Sequence, residues 1–430
     1  MSIVSTPSNK ANALPPEVLL TIFELATYNS TREIDHLADL PPFEGIYSEK
    51  RDARDRDALR TKRSLSLTCS SFRRIIEKLL YEDIWIRHGS ARLLETFRSS
   101  EVAPGSGFGL GRYVRRATLA PTEFNFAAAD TPEILKLCPN LRIISRASCL
   151  NNSNCGPALD NLSPLRVHRV DWTDVLAGRD FTLNLSPHFV WHSPTVRVLT
   201  LDTDNLLIPE SEGNSGQNHE IIINLPNLHT LRLHSCDALG DPEEFWYSVQ
   251  LPSLRRLIIE RPLALYALHS GCLVFYGPRI KTLELGRYRR FLRIDAISIA
   301  LGYCPNVDTL LFPVSTTMPP AKNALDSPRE EWMEYCVKHI GLNASVEEGL
   351  DDQVRRTWLN VQLEDVVDAL VGEGTRFTAL ERITLYGREW RDIVCDEAFE
   401  PIAKAMHSSR VKIDCEDDVA GQVVQKMLDC

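Results

Sequence analysis

Along most of the chain, apolar residues fall in one recurring pattern, apolar-x-x-apolar-x-apolar. It reads Val114-x-x-Ala117-x-Leu119, Leu141-x-x-Ile144, Leu165-x-x-His168-x-Val170 and Val196-x-x-Leu199-x-Leu201. It continues as Leu228-x-x-Leu231-x-Leu233, Leu254-x-x-Leu257-x-Ile259, Ile280-x-x-Leu283-x-Leu285, Val307-x-x-Leu310-x-Phe312 and Leu380-x-x-Ile383-x-Leu385. The alternation closing each unit predicts a short strand whose second and third apolar positions point inward. A proline announces the strand at a fixed offset, in Cys138-Pro139-Asn140, Leu225-Pro226-Asn227, Leu251-Pro252-Ser253 and Cys304-Pro305-Asn306. One type of turn therefore feeds unit after unit. The starts from Val114 to Val307 lie roughly 24 to 32 residues apart. A unit this small exposes its apolar face until a neighbour stacks on it, which predicts an α/β solenoid with a curved parallel sheet backed by helices or irregular segments.

Between the inward positions, one residue of each strand faces the other side: Thr200, Arg232, Ile258, Glu284, Leu311 and Thr384 in successive units. Asp202, His234, Glu260 and Tyr386 extend that strip. A mixed polar and apolar strip suits recognition of a protein target, where a few anchors supply most of the affinity; an ordinary solvated sheet face would carry the same composition. One excursion, residues 315–376, breaks the rhythm. Ser327-Pro328-x-Glu330 offers an N-cap, a first-turn proline and a capping-box glutamate, followed by Trp332, Met333, Cys336, Val337 and Ile340 on one helical stripe. Leu363, Val366, Val367, Leu370 and Val371 form a second stripe. Both predict helices that thicken the outer layer.

Ahead of the repeats the period becomes helical. Pro15 and Pro16 suit a first helical turn, and Val18, Leu19, Ile22, Phe23 and Ala26 follow on one face. A second helix is predicted from near Ser64, with Leu65, Cys69, Phe72, Ile75, Ile76, Leu79 and Leu80 on one stripe and Arg73, Arg74, Glu77 and Lys78 toward water. Helices this short cannot bury both stripes against each other alone, so they must pack on the repeat body, a partner, or both.

These residues resemble the F-box family, in particular the F-box proteins of mushroom-forming fungi. The matching elements are Leu14-Pro15-Pro16-Glu17-Val18-Leu19-Leu20-x-Ile22-Phe23, then Leu65 to Arg74, then Leu79-Leu80-Tyr81-Glu82-Asp83-Ile84-Trp85. The repeats likewise resemble the irregular leucine-rich repeats of F-box proteins, without the fixed asparagine ladder of better-formed ones. The expected organisation is a disordered 1–13, a helical module over 14–86 and a solenoid over 87–430 with a helical insertion at 315–376. The segment 28–62 departs from the family by its length. It carries the run Glu49-Lys50-Arg51-Asp52-Ala53-Arg54-Asp55-Arg56-Asp57, which predicts a solvated helix or a disordered loop.

Charge and candidate chemistry narrow the function. Lys plus Arg number 48 against 58 Asp plus Glu, a formal −10, which argues against wholesale nucleic-acid or anionic-membrane binding. No run approaches the ~20 apolar residues of a membrane helix, and Met1 to Lys10 lacks a signal-peptide core, so an intracellular chain is expected. The 11 cysteines are scattered without C-x-x-C spacing, which points to reduced thiols; Cys149 and Cys155, the closest pair, lack further ligands for a metal. Gly105 to Gly111 lacks the Gly-Lys-Ser/Thr of a phosphate loop and reads as a connector. His188 and His192 sit between Pro187 and Pro194, which discourages a helix long enough to align both rings. The basic cluster Arg287-Tyr288-Arg289-Arg290 with Arg293 reads as a patch for an acidic segment or as a solvated face. No catalytic constellation, cofactor site or homo-oligomer contact is expected.

What the resemblance implies is a substrate receptor of a cullin-type ubiquitin ligase. Leu14, Pro15, Pro16, Leu19, Ile22, Leu67, Cys69 and Phe72 would touch the Skp-type adaptor, and through it a cullin. The strip from Thr200 to Tyr386 would hold a protein target. Two alternatives stand beside it: a repeat scaffold without ligase association, whose helices only cap the first repeat, and a small-molecule receptor.

Overall fold

Each apolar pattern ends on a strand that bonds edge to edge with the next. The computed structural model describes residues 14–28, 40–44, 49–86, 90–101, 109–119, 130–146, 166–172, 193–201, 223–233, 246, 249–260, 272–286, 295–315, 317, 334–344, 352–387, 389–396 and 399–428. The strands within them are β1 (Asp83–Ile86), β2 (Arg116–Leu119), β3 (Ile143–Arg146), β4 (Arg169–Trp172), β5 (Val198–Leu201), β6 (Ile223–Asn224) and β7 (Thr230–Leu233). There follow β8 (Val249–Gln250), β9 (Arg256–Ile259), β10 (Thr282–Leu285), β11 (Thr309–Pro313), β12 (His339–Asn343), β13 (Arg382–Tyr386) and β14 (Lys412–Cys415). β6 pairs only with β8; the other twelve form one sheet in chain order with every neighbour parallel.

Register follows the motif in every unit but that of β4. Ala117, Ile144, Val170, Leu199, Leu231, Leu257, Leu283, Leu310, Ile340 and Ile383 stand side by side, and all are buried. On this face helices bring Phe97, Ile134, Leu273, Ile297, Leu363, Val366, Trp390 and Met406 into the same apolar cluster, so the core is continuous from repeat to repeat. Ahead of most strands of the large sheet one carbonyl accepts two N–H groups of the next unit. Arg115 receives Arg142 and Ile143, and Arg197 receives His229 and Thr230. The turns add a second tie. Asn140, Asn227 and Asn306 donate their side-chain amides to the carbonyls of Arg112, Pro194 and Pro278 in the preceding unit, at 2.8, 2.7 and 2.8 Å. The Pro-Asn turn thus ties three units to the ones before them through an asparagine side chain.

The sequence reading needs four corrections here. The unit read as Leu165-x-x-His168-x-Val170 is two residues out of phase: His168 is exposed, and the buried pair is Val167 and Val170, with Val170 beside Ile144 and Leu199. Residues 318–333 lie outside the described set, but Cys336, Val337 and Ile340 are not helical: they lead into and lie on β12. Val337-x-x-Ile340-x-Leu342 is one more copy of the repeat, with all three apolar residues buried. A helical stripe and the repeat share an interval of three, so Val337 and Ile340 satisfy both, and only Leu342 breaks the tie. The predicted helix over Leu363 to Val371 does form, inside Asp352–Val371.

The second helix begins at Glu49 instead of Ser64. It runs Glu49–Thr68, and its charged first half has the Ala, Arg, Glu and Lys that favour helix without an apolar stripe to reveal it. Cys69 then interrupts it in an extended conformation (φ −160°, ψ 166°), its sulfur accepting the Phe72 N–H at 3.4 Å to cap a separate helix, Ser70–Leu80. Lastly, Asp83–Ile86 is the first strand of the repeat sheet, not the end of a helical module, and Ile84 and Ile86 lie in the solenoid core. Among the described residues, no helix is long and apolar enough to cross a membrane.

Candidate protein-binding surfaces

The helix Pro16–Ala26 turns Phe23 inward onto Ile76 and Leu79, with Leu19, Leu20, Leu65, Phe72 and Ile75 around them. The Phe23 and Phe72 rings meet edge to face at 5.0 Å. This small cluster is separate from the solenoid core. The opposite stripe stays in water: Leu14 is 51%, Ile22 44%, Leu25 73% and Leu67 76% exposed, and Val18 belongs with them. Of the residues that the family resemblance assigns to an adaptor, Leu14, Pro15, Pro16, Ile22, Leu67 and Cys69 are therefore exposed, while Leu19 and Phe72 are half-buried in the helical core.

The other candidate surface is covered. Residues 40–44, the strap Leu40-Pro41-Pro42-Phe43-Glu44, lie across the sheet face that looks away from the core. Leu40 packs on Val198 and Ile258. Phe43 sets its ring 5.7 Å from that of Tyr386, and its N–H donates to the Glu284 carboxylate at 2.9 Å. Glu44 places its carboxylate against both terminal nitrogens of Arg169, at 3.3 and 3.4 Å.

Three arginines of the sheet share one arrangement beneath it. Arg169 gives Nε to Asp171 at 2.9 Å and its terminal nitrogens to Glu44. Arg232 pairs with Glu260 and donates to the Glu44 carbonyl. Arg256 pairs with Glu284 and donates to the Leu40 carbonyl. Burial alone would lower the pKa of Arg169, but Asp171 and Glu44 outweigh it and hold the guanidinium above its usual range. Burial also raises the Glu284 carboxyl, against the pull of Arg256 and Arg232. Charges this deep are tolerable only because each is paired and hydrogen-bonded.

Of the residues expected to face a target, Thr200, Arg232, Ile258 and Glu284 point to the predicted side but are buried, not open; the strap covers the last three, and Thr200 is hydrogen-bonded to Asp171. Leu311 is buried too. Glu260, Thr384 and Tyr386 are half-buried, and Thr384 shares a hydrogen bond with His339 at 2.8 Å. Asp202 and His234 lie outside the described residues, as do Cys149, Cys155, His188, His192 and the cluster Arg287 to Arg293. Sequence reasoning missed Arg169, Asp171, Arg256 and the strap itself. Residues 40–44 carry no period, although the register puts Arg169 and Arg256 on the same face as the predicted strip.

Beside the strap a cavity of about 230 Å³ opens, lined by Pro42, Thr282, Thr309, Leu311 and Tyr386 among others. It falls short of the ~300–1,000 Å³ of most small-molecule sites. Gly109–Tyr113, at the end of the glycine-rich segment, is a short 3-10 turn, and a Cβ on Gly111 would stand 2.0 Å from the Leu137 carbonyl oxygen, so close packing explains that glycine. Burial pushes the Cys138 and Cys304 thiols up to about 12, which leaves both unreactive. Among the described residues no group of three or more His, Cys, Asp or Glu is placed to hold a metal ion.

No family model and no curated protein matches the sequence. Among solved structures, an internalin from Listeria monocytogenes is similar at 13% identity, over 78% of this chain and 93% of the internalin, with a TM-score of 0.25. A likeness that slight carries no argument. What the geometry itself establishes is a parallel-sheet solenoid with one bare apolar surface and one occupied polar one.

Proposed function

We propose that the chain is the substrate-receptor subunit of a Skp–cullin-type ubiquitin ligase, its helical front seating a Skp-type adaptor and its repeat body holding a protein target. The supporting observation is the bare stripe of Leu14, Val18, Ile22 and Leu25, with Leu67, on helices that already share a core. A helix serving only as a cap has no reason to leave large apolar side chains in water on one face, whereas a docking helix does. The function is positional: a target held near a separately supplied catalytic subunit reacts at raised effective concentration, and this chain needs no reacting group of its own.

Co-expression with a Skp-type adaptor tests the reading. The wild-type chain should co-purify with the adaptor, and Leu14→Asp with Ile22→Asp and Leu67→Asp should lose it while keeping the wild-type melting temperature. Substitutions at Leu19 or Phe72 would confuse docking with folding, because both side chains belong to the helical core. A pair that survives the triple substitution contradicts the assignment.

A further inference from the structure

The strap is shaped as a ligand. Its two prolines bring no N–H groups to be satisfied under cover. The carbonyls of Leu40 and Glu44 are taken by Arg256 and Arg232, the Phe43 N–H by Glu284, and the Glu44 carboxylate by Arg169. Each of those arginines is held in place by a carboxylate of the sheet, so the guanidinium faces that grip the strap are set before it arrives.

The strap is also strained. Its turn closes with the Glu44 N–H on the Pro41 carbonyl at 3.2 Å, and Phe43, at the second central position, has φ +58°. Glycine or asparagine normally fills that position, and a bulky aromatic residue there persists only where its surroundings force it. Contacts to Tyr386 and Glu284 supply that force. A segment that met the same contacts without the left-handed residue would hold the face more tightly than the strap does.

We propose that this face is the target site, that it takes a proline-containing turn segment with a large apolar residue before the prolines and an aromatic and an acidic residue after them, and that residues 40–44 are its resident occupant, displaced when a target binds. The inference rests on the reading of the repeat body as target-holding; it is independent of adaptor docking.

A labelled peptide of residues 39–45, Asp-Leu-Pro-Pro-Phe-Glu-Gly, titrated into the purified full chain by fluorescence anisotropy, tests it. Against wild type the peptide must compete with the strap. Against the Leu40→Ser, Phe43→Ala chain the face is open, and affinity should rise at least about tenfold, since apparent affinity scales with the fraction of competent face. The rise should vanish for a peptide with Ala for Phe and Lys for Glu, and for the opened chain carrying Arg232→Ala. The peptide should also raise the melting temperature of the opened chain and leave that of wild type unchanged. Equal affinity for wild type and opened chain overturns the proposal, as does a folded opened chain that ignores the peptide. An opened chain that fails to fold and is not rescued by the peptide overturns it too, because the strap is then a fixed part of the core. Loss or retention of the adaptor in co-purification leaves all these outcomes unchanged.

Discussion

At the front helices Leu14, Val18, Ile22, Leu25 and Leu67 remain in water, whereas on the repeat face three arginines and their carboxylates are taken out of it. Both arrangements are costly in isolation. Bare apolar area invites association, and buried charge loses hydration that only close pairing restores. The difference lies in where the compensation comes from. The repeat face finds it within the chain, in residues 40–44; the front stripe finds none among the described residues. A solenoid face that carries its own occupant and a helical stripe that carries none divide the molecule into an occupied surface and a vacant one.

The sharpest break between the two regions is in their cores. Phe312→Ala, in the continuous repeat core, should cost about 3–5 kcal/mol in urea unfolding. Phe23→Ala, in the separate helical cluster, should melt the front helices while leaving the unfolding of the sheet in place. Removing a strap contact comes next. Arg169→Met removes the cation that Asp171 and Glu44 share, a change worth about 3–5 kcal/mol where both charges stay buried. Here the strap can lift and let water in, so the measured loss should fall below that range, with Phe43 becoming accessible to proteolysis nearby.

Leu67→Ser should change stability by less than about 0.5 kcal/mol, as for other exposed positions, while reducing self-association in light scattering. The smallest effect is a pH dependence. Burial, with Arg382 adding to it, lowers the His339 pKa below the usual imidazole range. The folded state then binds the proton less readily than the unfolded one. The stability from neutral His339 is full above that range and is lost as pH falls through it to the lowered folded value. His339→Gln should flatten the change in melting temperature between neutral and mildly acidic pH; an unchanged slope would count against the assignment.

The repeats were legible because strand spacing and inward alternation coincide in most units, with a proline turn ahead of several of them. β12 was misread because Val337 and Ile340 fit two periods, and β14 escaped because Val411, Ile413 and Cys415 follow no proline turn. The long helix before Cys69 was hidden by its lack of an apolar face. On the front module, the exposed stripe follows from helical spacing; which side of each helix meets the others does not. The strap was out of reach for a physical reason. Its hydrogen-bond partners are up to 241 residues away, and its five residues carry no regular structure, so its place is dictated by the arginines it meets.

Hydroxyl-radical footprinting of the free chain, read by mass spectrometry, tests the contrast between vacant and occupied surfaces most directly. Leu14, Leu25 and Leu67 should oxidise rapidly, and Leu40, Phe43 and Ile258 should be protected. Oxidation of Phe43 at the rate of Leu67, or protection of Leu14 and Leu67, would contradict it.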